Sequence, residues 1–272
     1  MKEFALKEEE IRRREESLKV YDGEDKIISS MDFAEKLKNV PKDPAIFSKM
    51  PTLDSLCGGF RLGQLIIIGG KPKNGKTLLG QTLTSNFFEQ GVLSLWFSYE
   101  MTPEEFLERF PNLPVLYMPQ FLEGKEVDWL SNRIIEAKAK FGIKVVFFDH
   151  LHYLIDMGKI QNPSLDIGTV VRNLKRMAVY LKIVVFVMAH VTKLNRGEKA
   201  TSDDLRDTGM TKGECDKVIM INRLSSENRE NQSVITLGAD RQTGVMDKDF
   251  LVVKRGLLYE LETRESIREE GR

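Results

Sequence analysis

Cysteine, histidine and any imbalance of charge are what this sequence has least of. Its two cysteines, Cys57 and Cys215, lie far apart and form no C-x-x-C pair. That excludes a disulfide framework and a thiolate zinc cluster, and leaves two free thiols suited to a reducing compartment. Lys plus Arg (41) equals Asp plus Glu (41), so no global basic field advertises a nucleic-acid partner, and any such contact must come from a local patch. Apolar runs such as Ile183–Ala189 are far too short to cross a bilayer. The first twenty residues alternate acidic and basic clusters without the apolar core of a signal peptide. The expectation is an intracellular, cytoplasmic protein with no membrane partner.

What is present fits one large α/β domain with a substantial core and a short appendage: 272 residues, 41% hydrophobic and 30% charged. Residues 1–50 stand apart. Phe4, Ile11 and Leu18 recur every seven residues in Lys/Glu/Arg-rich sequence, a helix with one narrow apolar seam. A second short helix is expected over Ser30–Val40, ended by Pro41 and Pro44. So narrow a seam cannot hold a domain alone; it reads as an arm for docking on a neighbouring subunit, or as a solvated one.

From residue 51 to 272, short apolar runs alternate with helical patterns. The runs are Leu65–Ile68, Val92–Phe97, Val145–Phe148, Ile183–Met188, Val218–Ile221 and Val234–Leu237. Continuous runs of this kind suit strands buried on both faces, as in a mostly parallel twisted sheet covered by helices. Ile167, Val170, Val171, Leu174, Met177, Ala178 and Leu181 mark an amphipathic helix before the fourth run. From Asn231 onward the pattern reads as antiparallel strands finishing the sheet.

Gly70–Thr77, GKPKNGKT, fits G-x-x-x-x-G-K-[ST] between the run Leu65–Ile68 and a helix carrying Leu78, Leu79, Leu83 and Phe87. Glycines let backbone N–H groups curl around phosphate oxygens, and a helix N-terminus adds partial positive charge. The contacts expected for ATP are Gly70, Lys73, Asn74, Gly75, Lys76, Thr77 and Leu78, with Lys76 on the terminal phosphates and the Thr77 hydroxyl on Mg2+. A second metal carboxylate is expected where four apolar residues, Val145–Phe148, end in Asp149 at the carboxyl edge of a buried strand. Glu100 follows the second run and precedes Thr102-Pro103-Glu104-Glu105, a capping box that does not need it, so it is free to orient or deprotonate water. His150 and His152 flank Leu151; without a further His or a suitably spaced Cys pair, a metal site is not expected there.

With these motifs and several others in order, the chain resembles the C-terminal motor domain of DnaB-type replicative helicases, and of phage and mitochondrial primase–helicases, over roughly Pro51–Glu262. Pro51-Thr52-Leu53-Asp54 with Gly58-Gly59 leads into the first strand; Ser98-Tyr99-Glu100-Met101 resembles the family's S-x-E-M; Phe148-Asp149-His150-Leu151 resembles its metal-site strand end. Val187-Met188-Ala189-His190, Asp203-Asp204-Leu205-Arg206-Asp207-Thr208-Gly209 and Asp240-Arg241-Gln242-Thr243-Gly244 complete the match.

The resemblance implies a RecA-like P-loop NTPase fold, ATP and Mg2+ as cofactors, a homo-oligomeric hexameric ring, single-stranded DNA in its channel, and other replication proteins as partners. In the cytoplasm, or that of a virus-infected host, it would act as an ATP-dependent DNA helicase or translocase. Glu100 would be the catalytic carboxylate, His190 the γ-phosphate sensor, and Arg241 an arginine finger acting on the neighbour's nucleotide. Arg206, Asp207 and Gly209 would face DNA; Lys193 and Arg196 join them from charge alone. Taken singly, His190 reads equally well as a satisfied strand-end histidine, and Arg241 as a surface arginine in a hairpin. A RecA-like ATPase without unwinding activity (a loader, a recombination mediator or a switch) shares the ATP site and differs in the loops.

Three departures stand out. Related motors usually carry a lysine where Ala239 stands, so one γ-phosphate partner must be missing or supplied by another residue. No primase or collar domain is read ahead of the motor. The DNA loops hold few cations and, beyond Tyr153, no evident stacking aromatic.

Overall fold

The computed structural model describes residues 8–122, 124, 126–154, 163–191, 198–208, 214–224 and 229–261, and for 163–166 and 206–208 the backbone alone. The chain divides into two units, residues 1–42 and 43–272.

The first unit carries two helices. In α1 (Glu8–Lys19) the acids Glu8, Glu9 and Glu10 open the helix and Lys19 closes it, charges that complement the helix dipole. In α2 (Ser30–Lys38) the Ser29 hydroxyl caps the first turn, accepting from the Asp32 N–H at 3.1 Å. Neither helix buries a residue; Ile11 and Leu18 on α1, and Met31, Phe33 and Leu37 on α2, are exposed. Residues 43–50, read with the arm in the sequence, belong to the second unit. Ile46 pairs with Phe60, and Ser48 donates from both its N–H and its hydroxyl to Asp54 Oδ1, each at 2.7 Å.

The second unit is built on one sheet of eight strands. β1 (Leu65–Gly70), β2 (Ser94–Ser98), β3 (Val145–Asp149), β4 (Val184–His190) and β5 (Lys217–Arg223) run parallel; β6 (Gln232–Asp240), β7 (Lys248–Arg255) and β8 (Leu257–Glu260) add on antiparallel. The order is β2-β3-β4-β1-β5-β6-β7-β8. Helices α3 (Pro51–Cys57), α4 (Lys76–Phe88), α5 (Pro103–Glu108), α6 (Val127–Phe141) and α7 (Pro163–Leu181) connect or cover it.

The continuous apolar runs serve two cores at once, because successive side chains leave a strand on opposite faces. Leu65 and Ile67 join Phe97, Phe148 and Val185 under α6 and α7, while Ile66 and Ile68 join Trp96, Phe147 and Phe186 under α4. The register sets Trp96, Phe147 and Phe186 side by side on three adjacent strands, with ring centroids 4.4 and 4.8 Å apart. The Trp96 indole N–H finds the Thr84 hydroxyl on α4 at 2.9 Å, so the ring is buried without an orphaned donor. On α7 the periodic residues Ile167, Val171, Leu174, Met177 and Ala178 are the buried ones. α4 shows little amphipathicity in sequence, and the far end of the sheet explains it. β8 lies against α4, with the Leu258 N–H donating to the Thr82 hydroxyl at 3.0 Å, so the helix is covered on a second side.

This topology gathers four strand ends at one edge. Gly70, Ser98, Asp149 and His190 close β1, β2, β3 and β4, all pointing the same way, and β1 lies between β4 and β5 while its connection leads to β2. The opposite edge holds the start of β5 and the end of antiparallel β6, hence Asp216 and Arg241.

Trp96→Ala removes one end of the aromatic row and a hydrogen bond; it is expected to cost about 3–5 kcal/mol. Thermal unfolding followed by circular dichroism should move down by about 10 °C. Phe88→Ala, on the exposed end of α4, should stay within about 1 kcal/mol of the parent.

Candidate nucleotide site

The loop between β1 and α4 is shaped by two glycines. A Cβ on Gly70 would stand 2.6 Å from the Ile221 carbonyl oxygen, so only glycine lets β1 end against β5. Gly75 sits at φ +95 immediately before α4 and Lys73 at φ +63, turning the chain so that the first N–H groups of the helix face outward. No side chain caps α4. Its N-terminus therefore offers unpaired donors to an anion, which is how helix ends hold phosphate.

Lys76 is 5% exposed, and its ammonium is saturated. It donates to the carbonyls of Gly70 (3.2 Å) and Lys71 (3.1 Å) and to Nδ1 of His190 (2.8 Å). Burial lowers its pKa to about 8, against the opposing pull of Asp149 and Glu100. Since an ammonium only donates, Nδ1 of His190 accepts and its Nε2 carries the proton. Burial, then the Lys76 charge, depress His190 to about 4, so the ring is neutral at pH 7.

Asp149 is fully buried at the end of β3, and Thr77 donates its hydroxyl to Oδ2 at 2.6 Å. Burial raises this carboxyl to about 6, with the Thr77 bond working the other way. Oδ1 is buried and makes no hydrogen bond among the described residues. A hydroxyl and a desolvated carboxylate with a spare lone pair are the oxygen set a hard divalent cation takes. Tyr99 donates its N–H to the Asp149 carbonyl at 2.7 Å, which fixes the end of β2 and hence Glu100 beside the same edge. Glu100 is exposed on the rim, and Thr102 caps α5 just beyond it.

Lys73, Asn74, Gly75, Lys76, Thr77 and Leu78 line one cleft of about 500 Å³ together with Glu100 and His190, and Asp149 lies buried behind it through its bond to Thr77. Arg109, Arg223 and Lys254 also line it, and nothing in the sequence pattern singles them out. Arg109 follows α5, and its charge reaches Asp149 strongly enough to act on its titration. The one available signal was its place a single short helix after Glu100. Arg223 and Lys254 come from β5 and β7, strand positions that only pairing brings together.

His150 has neighbours in space that its local sequence does not show. The fold sets His190 edge-on to it at 4.3 Å, and ligand atoms of Glu100, His150 and His190 come within 4.8 Å of one another, so a third partner exists in space though not in local sequence. The Nδ1 of His190 is committed to Lys76, however, which leaves its Nε2 protonated and unable to ligate without a change of tautomer.

Arg241 is not in the cleft. It projects from the turn after β6, half-exposed, with Asp216 Oδ1 at 4.0 Å and its own N–H bonded to the Asp216 carbonyl at 2.9 Å. The turn is rigid. Asp240 accepts from the Gln242 N–H (2.8 Å), the Thr243 hydroxyl (3.0 Å) and the ammonium of Lys217 (2.7 Å), the last in a fully buried ion pair. Ala239 faces Val218 and packs on the core. Lys193, Arg196 and Gly209 lie outside the described residues; the backbones of Arg206 and Asp207 lie in a short 3-10 helix, Ser202–Thr208, and their side chains are outside the description.

Comparison with known proteins agrees with this geometry. Residues 45–113 and 121–255 match the model of the DnaB-like helicase C-terminal domain. A probable plasmid replicative DNA helicase of Chlamydia psittaci is 24% identical over 220 residues, covering 67% of this chain and 48% of that protein. The replicative DNA helicase DnaB of Treponema pallidum is 23% identical over 236 residues, covering 75% and 54%. The chain thus spans about half the length of the curated relatives it matches. Among solved structures, an ATPase domain superposes with a TM-score of 0.71 at 19% identity, covering 87% of this chain and all of that one. A DnaB-like replicative helicase, studied with its primase interactions, superposes at 0.70 and 18%, covering 93% and 72%.

A carboxyl raised from 3.8 to about 6 costs the folded state up to about 3 kcal/mol once it is ionised. The cost is absent below about pH 4 and grows as pH rises toward and through about 6. Asp149→Asn is therefore expected to stabilise the nucleotide-free protein by about 1–3 kcal/mol at pH 7, with the gain vanishing toward pH 4. If the cleft takes ATP with Mg2+ as the sequence leads one to expect, the same substitution should abolish the resulting thermal shift. Melting curves at both pH values, with and without nucleotide, check both outcomes.

Proposed function

The chain belongs to the DnaB-like helicase C-terminal domain family, and on that footing we propose that it is an ATP-driven motor that assembles into a hexameric ring and translocates on single-stranded DNA, separating duplex as it moves. The observation that supports the reading is the division of the candidate catalytic residues between opposite ends of one sheet. Lys76, Thr77, Glu100, Asp149 and His190 lie at the carboxyl edge of the parallel strands, whereas Arg241 is tied to Asp216, which itself bonds the Leu65 N–H at the far end of β1. Six residues of strand, roughly 16–20 Å, lie between, farther than an arginine side chain extends. An arginine so placed cannot serve its own nucleotide and is well placed to serve that of a neighbour.

In this mechanism the backbone N–H groups of the loop at Lys73 and from Gly75 to Leu78 hold the phosphates, and Lys76 leaves its carbonyl and His190 partners for the β- and γ-oxygens. Thr77 and Asp149 would hold Mg2+, which would supply positive charge to offset that of the phosphates. Glu100 orients and deprotonates the attacking water from the rim. Arg241 of the adjacent copy stabilises the charge that builds on the transferred phosphoryl group. Because His190 and the phosphates compete for Lys76, the His190 bond reports γ-phosphate occupancy. His190 leads directly toward residues 192–197, where Lys193 and Arg196 would meet DNA together with Arg206, Asp207 and Gly209. The helices of the first unit, α1 and α2, would dock on the next subunit through Ile11, Leu18 and Phe33.

Arg241→Ala is expected to retain ATP binding and to lose about three orders of magnitude in turnover. Mixing it with Glu100→Gln should restore activity, since the Glu100→Gln subunit still lends its arginine to an intact neighbouring site. Normal turnover by Arg241→Ala contradicts the shared-site reading.

A further inference from the structure

A second concavity, of about 460 Å³, opens beside Arg241 at the amino-terminal edge of the parallel strands, away from the nucleotide cleft. Among the described residues, Arg61, Lys175, Lys182 and Arg241 line it, against a single carboxylate, Asp216. Lys175 is spoken for: its ammonium bonds Asp216 Oδ2 and the Gly63 carbonyl, both at 2.7 Å. Asp216 Oδ2 also takes the Leu65 N–H, so the acid is largely consumed in holding the wall together. Among the described residues, the side chains of Arg61 and Lys182 make no hydrogen bond and no ion pair. Among the described residues, Arg61 and Lys182 therefore bring two uncompensated positive charges to this recess beside Arg241. Such a recess favours a polyanion.

Two features show that the recess is built rather than incidental. Gln64 ties its two arginine-bearing turns together, accepting from the Arg61 N–H at 2.9 Å and donating to the Gln242 side chain at 3.3 Å. Lys182 stands at φ +48, a left-handed backbone position where glycine or asparagine is the cheaper residue, which fixes the turn that carries it. A cation also suits the C-terminus of α7, but the dipole alone does not call for one aimed at Arg241's cavity.

We propose that this recess receives the terminal phosphates of the nucleotide bound by an adjacent copy, with Arg61 and Lys182 as phosphate-binding cations alongside Arg241. The proposal rests on the shared-site reading above and extends it. The ligand class is a nucleoside triphosphate, recognised through its β- and γ-oxygens by charge-assisted hydrogen bonds.

The test is the double variant Arg61→Gln/Lys182→Gln in the full chain, with Arg241 intact. Particle mass with a non-hydrolysable ATP analogue, nucleotide affinity of dispersed subunits and steady-state turnover are measured together. The expected result is unchanged mass and affinity with turnover lowered about 10- to 100-fold, and recovery in Arg61→Lys/Lys182→Arg, which keeps both charges. Wild-type turnover in the double glutamine variant, while Arg241→Ala is inactive, overturns the proposal and leaves the arginine-finger reading standing. Normal turnover in Arg241→Ala removes the reading beneath it. Loss of assembly without loss of charge-dependent turnover would make the recess a protein contact, and would equally overturn the phosphate assignment. Should the double variant unfold, Lys182→Gln alone is expected to lower turnover at least about threefold, and wild-type turnover there overturns the proposal.

Discussion

The hydrogen bond from Thr77 to Asp149 joins two pieces of chain that the sheet holds apart. β1 and β3 are not neighbours; β4 runs between them. The phosphate loop and the carboxylate meet because three parallel strands end at one level and a loop folds back over the middle one. Lys76, Asp149 and His190 are then drawn out of water together. Lys76 and Asp149 each show the cost of burial in a pKa moved toward neutrality, and His190 is held uncharged beside them. A site so desolvated binds charge strongly when charge of the right sign arrives, because each partner has lost the water that would otherwise compete.

The same sheet sets a limit. Its strands are long enough that a side chain at the amino edge cannot assist chemistry at the carboxyl edge, and the cationic turns around Arg241 are at the amino edge. Arg241 is held there by backbone and buried-ion-pair contacts through Asp216, Asp240 and Lys217, a rigid mount of the kind a group needs if it must reach a partner's substrate in one geometry. Under the proposed function, each copy carries half of two sites and no whole one, which ties hydrolysis to assembly and lets nucleotide state pass from subunit to subunit.

Much of this was legible in the residues. Strand runs, the P-loop and the acid closing Val145–Phe148 come from local pattern, and the sheet has them within a few residues of where the pattern puts them. What escaped was non-local. Residues 43–50 look like arm because Pro41 and Pro44 break the helix, yet Ile46 pairs with Phe60 and seals the second unit. α4 carries no amphipathic signal because β8 covers its second side. Arg223 and Lys254 enter the cleft through strand pairing, and His190 meets His150 across two adjacent strand ends that lie far apart in the chain. Arg61 and Lys182 are single cations in short turns with no motif around them. Only the packing of those turns beside Arg241 gives them a shared purpose.

The central claim is that a triphosphate is completed between copies of the chain. Particle mass in solution, measured by light scattering with and without a non-hydrolysable ATP analogue and a single-stranded oligonucleotide, tests it most directly. The account predicts a nucleotide-dependent closed assembly of about six copies that retains the oligonucleotide. A chain that binds the analogue with Mg2+ and remains a monomer under every condition would contradict it.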